Sequence, residues 1–109
     1  MLRTKNLWLA LALAMGLIFW SQSAQAHSAY MNCADNDDGS ITCEGGFSDG
    51  SSASGVTVKV LGTDGKEIVV GAMNADDEYS FPKPTVDYKV LMEAGEGHEV
   101  TVEGKNIVK

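Results

Sequence analysis

From Ala29 onward the apolar residues of this chain recur at every second position, and turn-forming residues interrupt them about every eight to twelve positions. Period two sends alternate side chains to opposite faces of a strand, and the regular interruptions leave no room for an amphipathic helix. The expectation is an all-β chain, a seven-stranded Greek-key β-sandwich. The first two strands are expected over about Ala29–Ala34 and Ser40–Phe47, joined by the polar turn Asp35-Asn36-Asp37-Asp38-Gly39. Val56, Val58 and Val60 alternate with Thr57 and Lys59, which predicts a third strand with one buried face. In the fourth, Ile68, Val70 and Ala72 point one way and Val69, Gly71 and Met73 the other, which predicts cover on both faces. Tyr79 and Phe81 share a face of a short fifth strand that Pro82 and Pro84 stop. Tyr88, Val90 and Met92 mark the sixth, Ala94 to His98 a glycine-bearing loop, and Val100, Val102 and Ile107 the seventh.

This domain follows a leader. Arg3 and Lys5, the apolar run Leu7 to Trp20 and the small-x-small ending Ala24-Gln25-Ala26 have the three parts of a secretory signal peptide. Cleavage after Ala26 leaves residues 27–109 as a single β-sandwich domain in the periplasm or an equivalent extracytoplasmic space. The apolar run is shorter than the roughly 18–20 residues that span a bilayer, so no membrane insertion of the mature chain is expected. The mature product has 83 residues, and losing Arg3 and Lys5 moves its formal charge from −7 to −9. Such acidity disfavours nucleic acid, which requires a basic surface to displace counterions. It suits a cation, or a cationic patch on a partner.

A domain this small buries only about 60% of the surface that its unfolded chain exposes, so a cross-link adds usefully to a thin core. Cys33 and Cys43 are the only cysteines and lie symmetrically about Asp38. A hairpin turning there sets them opposite each other, and an even pair in an exported chain is expected as a disulfide.

Cleavage after Ala26 also makes His27 the first residue. A free N-terminal histidine offers its α-amine and ring Nδ1 to one metal in a closed ring, and both are largely available near neutral pH. His98 is the only other histidine. If every connection reverses the chain, the start of the first strand and the loop holding His98 reach the same end, with Asp49 and the group Asp76, Asp77 and Glu78. The donor set of three nitrogens suits Ni(II), Co(II) or Cu(II) better than Mg(II) or Ca(II), and by affinity order alone Cu(II) wins. Other candidates point to structure. Asp35, Asp37 and Asp38 miss the calcium-loop spacing and read as a solvated turn. Met31, Met73 and Met92 read as core filler despite their affinity for Cu(I), and Tyr30 and Tyr88 as packing residues. No catalytic constellation is present, and the chain is not expected to be an enzyme.

The segments Phe47-Ser48-Asp49-Gly50, Val56 to Val60, Asp64 to Ile68, Tyr79-Ser80-Phe81-Pro82 and Asp87 to Val90 resemble a carboxypeptidase regulatory-like, or prealbumin-like, sandwich. Glu93-Ala94-Gly95-Glu96-Gly97-His98 together with an N-terminal histidine resembles the small extracytoplasmic component of bacterial nickel and cobalt uptake transporters. The chain departs from that family at Glu78, in the Ser51–Gly55 loop, at Glu99 and in its cysteine pair. The resemblance implies Ni(II) or Co(II) as cargo, bound by His27 and His98, and membrane-embedded transporter subunits as partners. The competing readings are a structural or protein-binding sandwich without metal, and a periplasmic copper-binding protein.

Overall fold

A computed structural model of the chain describes residues 28–95 and 97–109; the expected signal peptide and His27 lie outside the described residues. The described chain forms seven strands, β1 (Ala29–Asp35), β2 (Ser40–Phe47), β3 (Thr57–Gly62), β4 (Glu67–Ala72), β5 (Glu78–Pro82), β6 (Tyr88–Glu93) and β7 (Glu99–Glu103). One turn of 3-10 helix, Gly104–Asn106, follows. The strands pair antiparallel into a three-stranded sheet ordered β1-β2-β5 and a four-stranded sheet ordered β4-β3-β6-β7. Face to face, the sheets make a β-sandwich.

Period-two alternation delivers one face of each sheet to a shared core. Ile41 and Cys43 of β2 and Phe81 of β5 join Val58 and Val60 of β3 and Val90 and Met92 of β6, all 3% exposed or less. Met31 and Met73 are buried with them, so the methionines are core filler as expected. Each of the buried valine, isoleucine, phenylalanine and methionine side chains stabilises the fold by roughly 1.5–3 kcal/mol relative to exposure.

The β1–β2 hairpin matches its expected register. Cys33 stands directly opposite Cys43, and a disulfide joins them. In the turn, Asp37 adopts a φ of 62°, a left-handed conformation that aspartate tolerates because its short side chain bonds nearby backbone. Asp37 N donates to Asp35 Oδ1 at 2.8 Å and Ser40 N to Asp38 Oδ1 at 3.0 Å. The aspartates build the turn.

Two expectations are corrected. β4 is not covered on both faces: it is an edge strand, and the opposing sheet reaches only its inner side, leaving Ile68 and Val70 45% and 50% exposed. Alternation cannot distinguish an edge strand from a central one. Val60 pairs with Val69 but Leu61 with Glu67, so Ile68 is the extra residue of a β-bulge, a device that blunts an open edge. The second correction concerns Ile107, which is not part of the seventh strand. β7 ends at Glu103, the chain turns through Gly104–Asn106, and Ile107 drops into the core from there. A Cβ on Gly104 would lie 2.7 Å from the Tyr88 ring and carbonyl, so only glycine lets the chain cross this close.

The pairings fix two ends. Ala29 opposes Phe47, Thr57 opposes both Ala72 and Glu93, Glu93 opposes Glu99, and Gly45 N donates to Asp77 O. The start of β1 and the β2–β3, β4–β5 and β6–β7 connections therefore gather at one end, the loop end. The β1–β2, β3–β4 and β5–β6 connections and residues 104–109 gather at the other, the turn end.

Candidate metal-binding end

At the loop end, three connections are assembled from their own hydrogen bonds. Asp77, at φ 63°, is the keystone: its Oδ1 accepts from Ser52 Oγ at 2.6 Å and from Ala53 N at 2.9 Å. Those bonds tie the β4–β5 turn to the β2–β3 loop and press Ala53 into the core, where it is fully buried. Asn74 Oδ1 accepts from the amides of Asp76 and Glu78, and Asp49 Oδ1 accepts from the amide and hydroxyl of Ser51. A carboxylate that accepts backbone N–H groups keeps its charge while serving the fold.

His98 closes the β6–β7 turn. Its amide donates to Gly95 O at 3.0 Å and its carbonyl accepts from Ala94 N at 3.3 Å, while Gly95 and Gly97 take positive φ values of 114° and 74°. The residue is exposed. The start of β1 is held as firmly: Ser28 N donates to Ser48 Oγ and Ser48 N to Ser28 O, both at 2.8 Å. β1 packs beside β7 across the gap between the sheets, and at the turn end Asp35 N donates to Val108 O at 3.0 Å. The two strands thus run side by side in one direction, and both begin at the loop end.

Charge is divided unevenly between the ends. Asp49, Asp76 and Asp77 lie in the loop-end connections and Glu78, Glu93 and Glu99 at the strand ends beside them, with no lysine or arginine among the described residues of those connections. Five of the six lysines in residues 28–109 sit at the turn end. The exception, Lys59 of β3, reaches Glu93 at 3.1 Å and Glu67 at 3.5 Å. Its hydrogen bond to Glu93 pushes the Lys59 pKa up. Two pairs of glutamates, Glu44 with Glu78 and Glu93 with Glu99, stand directly opposite each other on neighbouring strands. Like charges so placed oppose folding.

The structure thus brings the start of β1, His98 and the expected carboxylates to one end, while His27 itself lies outside the described residues. Among the described residues no group of three or more histidine, cysteine or acidic side chains converges on a single point. Of these carboxylates, Asp49 and Asp77 build the loops by accepting hydrogen bonds within them. Sequence reasoning places Asp77 in a turn before the aromatic strand but misses its bonds to Ser52 and Ala53 in another loop. Comparisons of the chain with family models, with curated proteins and with solved structures give no match.

Proposed function

We propose that the chain is exported, is cut after Ala26, and binds one Ni(II) or Co(II) ion as cargo through the α-amine and ring of His27 together with His98, for delivery to a membrane-embedded transporter. The observation that carries this reading is the parallel course of β1 and β7. Ser28 is pinned one residue after His27, β7 begins one residue after His98, and the two strands lie side by side. The loop-end connections, which carry carboxylates and no lysine or arginine among their described residues, support it further, since an excess of one sign raises the local concentration of the opposite ion and speeds its capture. The Cys33–Cys43 disulfide suits an oxidising compartment outside the inner membrane. The Greek-key connectivity and the prealbumin-like relationship belong to the same proposal.

The test compares mature protein beginning at His27 with a form carrying one additional glycine ahead of it. That glycine keeps the imidazole but turns the α-amine into a non-basic amide. Titration with Ni(II), Co(II) and Cu(II) should show a large loss of affinity in the extended form and a further loss in His98→Ala. Because the ligands shed protons on binding, affinity should fall as the pH drops from about 7 to about 5. Equal affinity in all three proteins would remove the site and leave the protein-binding sandwich, whose edge strand β4 displays Ile68 and Val70. Tightest binding of Cu(II), with no selectivity restored by the protein, would favour the copper reading.

A further inference from the structure

The turn end holds a cleft of about 600 Å³ that the metal reading does not use. Its walls come from the β3–β4 turn at Gly62 and Thr63, the β5–β6 connection from Lys83 to Asp87, the first two residues of β6, and the segment from Glu103 to Lys105. A concavity of this volume, built from several chain segments, has the dimensions of a small-molecule site.

Three of the turn end's lysines, Lys83, Lys89 and Lys105, line it from three different segments. Lys83 is committed to Asp35, 2.8 Å away. Lys89 and Lys105 form no ion pair among the described residues, even though Lys89 stands opposite Glu103 in the strand register. Tyr88, the residue before Lys89, lines the same cleft and is half-buried, and burial pushes its pKa up, so its hydroxyl remains a hydrogen-bond donor. Beside these donors Val86 is 61% exposed and Pro84 half-buried, an apolar surface that the core does not use. Asp87 and Glu103 share the wall and limit the negative charge the cleft can accept. A polyanion is thereby disfavoured.

We infer that this cleft binds a small organic monocarboxylate, its carboxylate held by Lys89 and Lys105 and its apolar body lying on Val86 and Pro84. Charge-assisted hydrogen bonds fix the anionic group, and burial of the exposed valine adds the apolar contribution. The site is at the opposite end from His98 and stands independently of the metal reading.

Benzoate is the probe, with acetate as the anion lacking an apolar body. Added to 15N-labelled protein at constant ionic strength, benzoate should give saturable amide shifts confined to Gly62, Thr63, residues 85–89 and residues 104–105. Acetate should bind at least about threefold more weakly, because it buries less apolar surface. Lys89→Gln combined with Lys105→Gln should weaken benzoate by about tenfold or more, since each charge-assisted bond contributes more than a neutral one. Thermal melts check that the double variant is folded, and His98→Ala should leave benzoate binding unchanged. Shifts that follow ionic strength alone, saturable binding that survives the double substitution, or equal binding of acetate and benzoate would each overturn the inference.

Discussion

The two ends of the sandwich are closed by different means. At the turn end a disulfide lies within the β1–β2 hairpin, and Lys83 with Asp35 and Lys109 with Asp37 form ion pairs at 2.8 Å. At the loop end the connections are held by carboxylate and amide side chains accepting backbone N–H groups, around Asp77, Asn74 and Asp49. The first arrangement neutralises charge as it stabilises. The second stabilises through side-chain acceptors, and carries opposed glutamates on two strand pairs, of which only Glu93 is met by a lysine among the described residues. The difference is one of charge: the loop-end connections hold acids and no lysine or arginine among their described residues, while five of the six lysines in residues 28–109 sit at the turn end.

The largest expected effect on the comparison comes from the covalent link. Replacing Cys33 and Cys43 together by alanine should lower the unfolding free energy by about 2–3 kcal/mol, as expected for opening a closed loop of this length. Urea denaturation of the double variant measures it, and an unchanged midpoint would show that the turn end does not depend on its cross-link. Asp77→Ala should follow, at about 1–2 kcal/mol, because it strands the Ala53 amide and puts a less tolerant residue in the left-handed region. Asp77→Asn keeps an acceptor and tolerates that φ, so it should recover most of the loss; if it does not, the charge itself holds the loop end.

Acid should act on the turn end in a defined window. The hydrogen bond from Lys83, followed by that from the Asp37 amide, holds the Asp35 carboxyl below its ordinary value. The Ser40 hydroxyl and amide do the same for Asp38. A depressed folded-state pKa contributes stability above the ordinary carboxylate value of about 4 and loses it as the pH falls through the lowered one. Urea midpoints collected from neutral pH downward should therefore bend below about pH 4, and Asp35→Asn with Asp38→Asn should flatten that limb. The smallest effect belongs to Lys109→Ala. Its pair with Asp37 is about 70% exposed on both sides, a setting in which ion pairs contribute little. No measurable change in melting is expected, and a clear one would mean that surface ion pairs share in closing the turn end.

Much of this was readable from residue order. Cysteines placed symmetrically about Asp38 implied both the hairpin register and the disulfide, and valine alternation located β3. Counting chain reversals was enough to bring the start of β1 and His98 to one end. The same counting, applied to the lysines, gathers five of the six in residues 28–109 at the turn end. What period two could not supply was cover: Ile68 and Val70 read as buried because a strand's neighbours are absent from its own pattern. Nor could it show that Ile107 enters the core after a 3-10 turn, since that contact depends on Gly104 allowing close passage over Tyr88. The cross-loop bonds of Asp77 are illegible for a related reason, because its partners Ser52 and Ala53 lie in a different loop.

The side-by-side course of β1 and β7 also sets the molecule's poles for anyone handling it. The chain enters the fold at the loop end beside Ser28 and leaves it at the turn end, where the Val108 carbonyl meets β1 and Lys109 reaches Asp37. An affinity tag ahead of residue 28 would sit on the carboxylate-bearing loop end. One fused after Lys109 would emerge at the opposite pole, and a sensor chip or bead coupled through it would hold the carboxylate end outward, in a single orientation, toward whatever flows past.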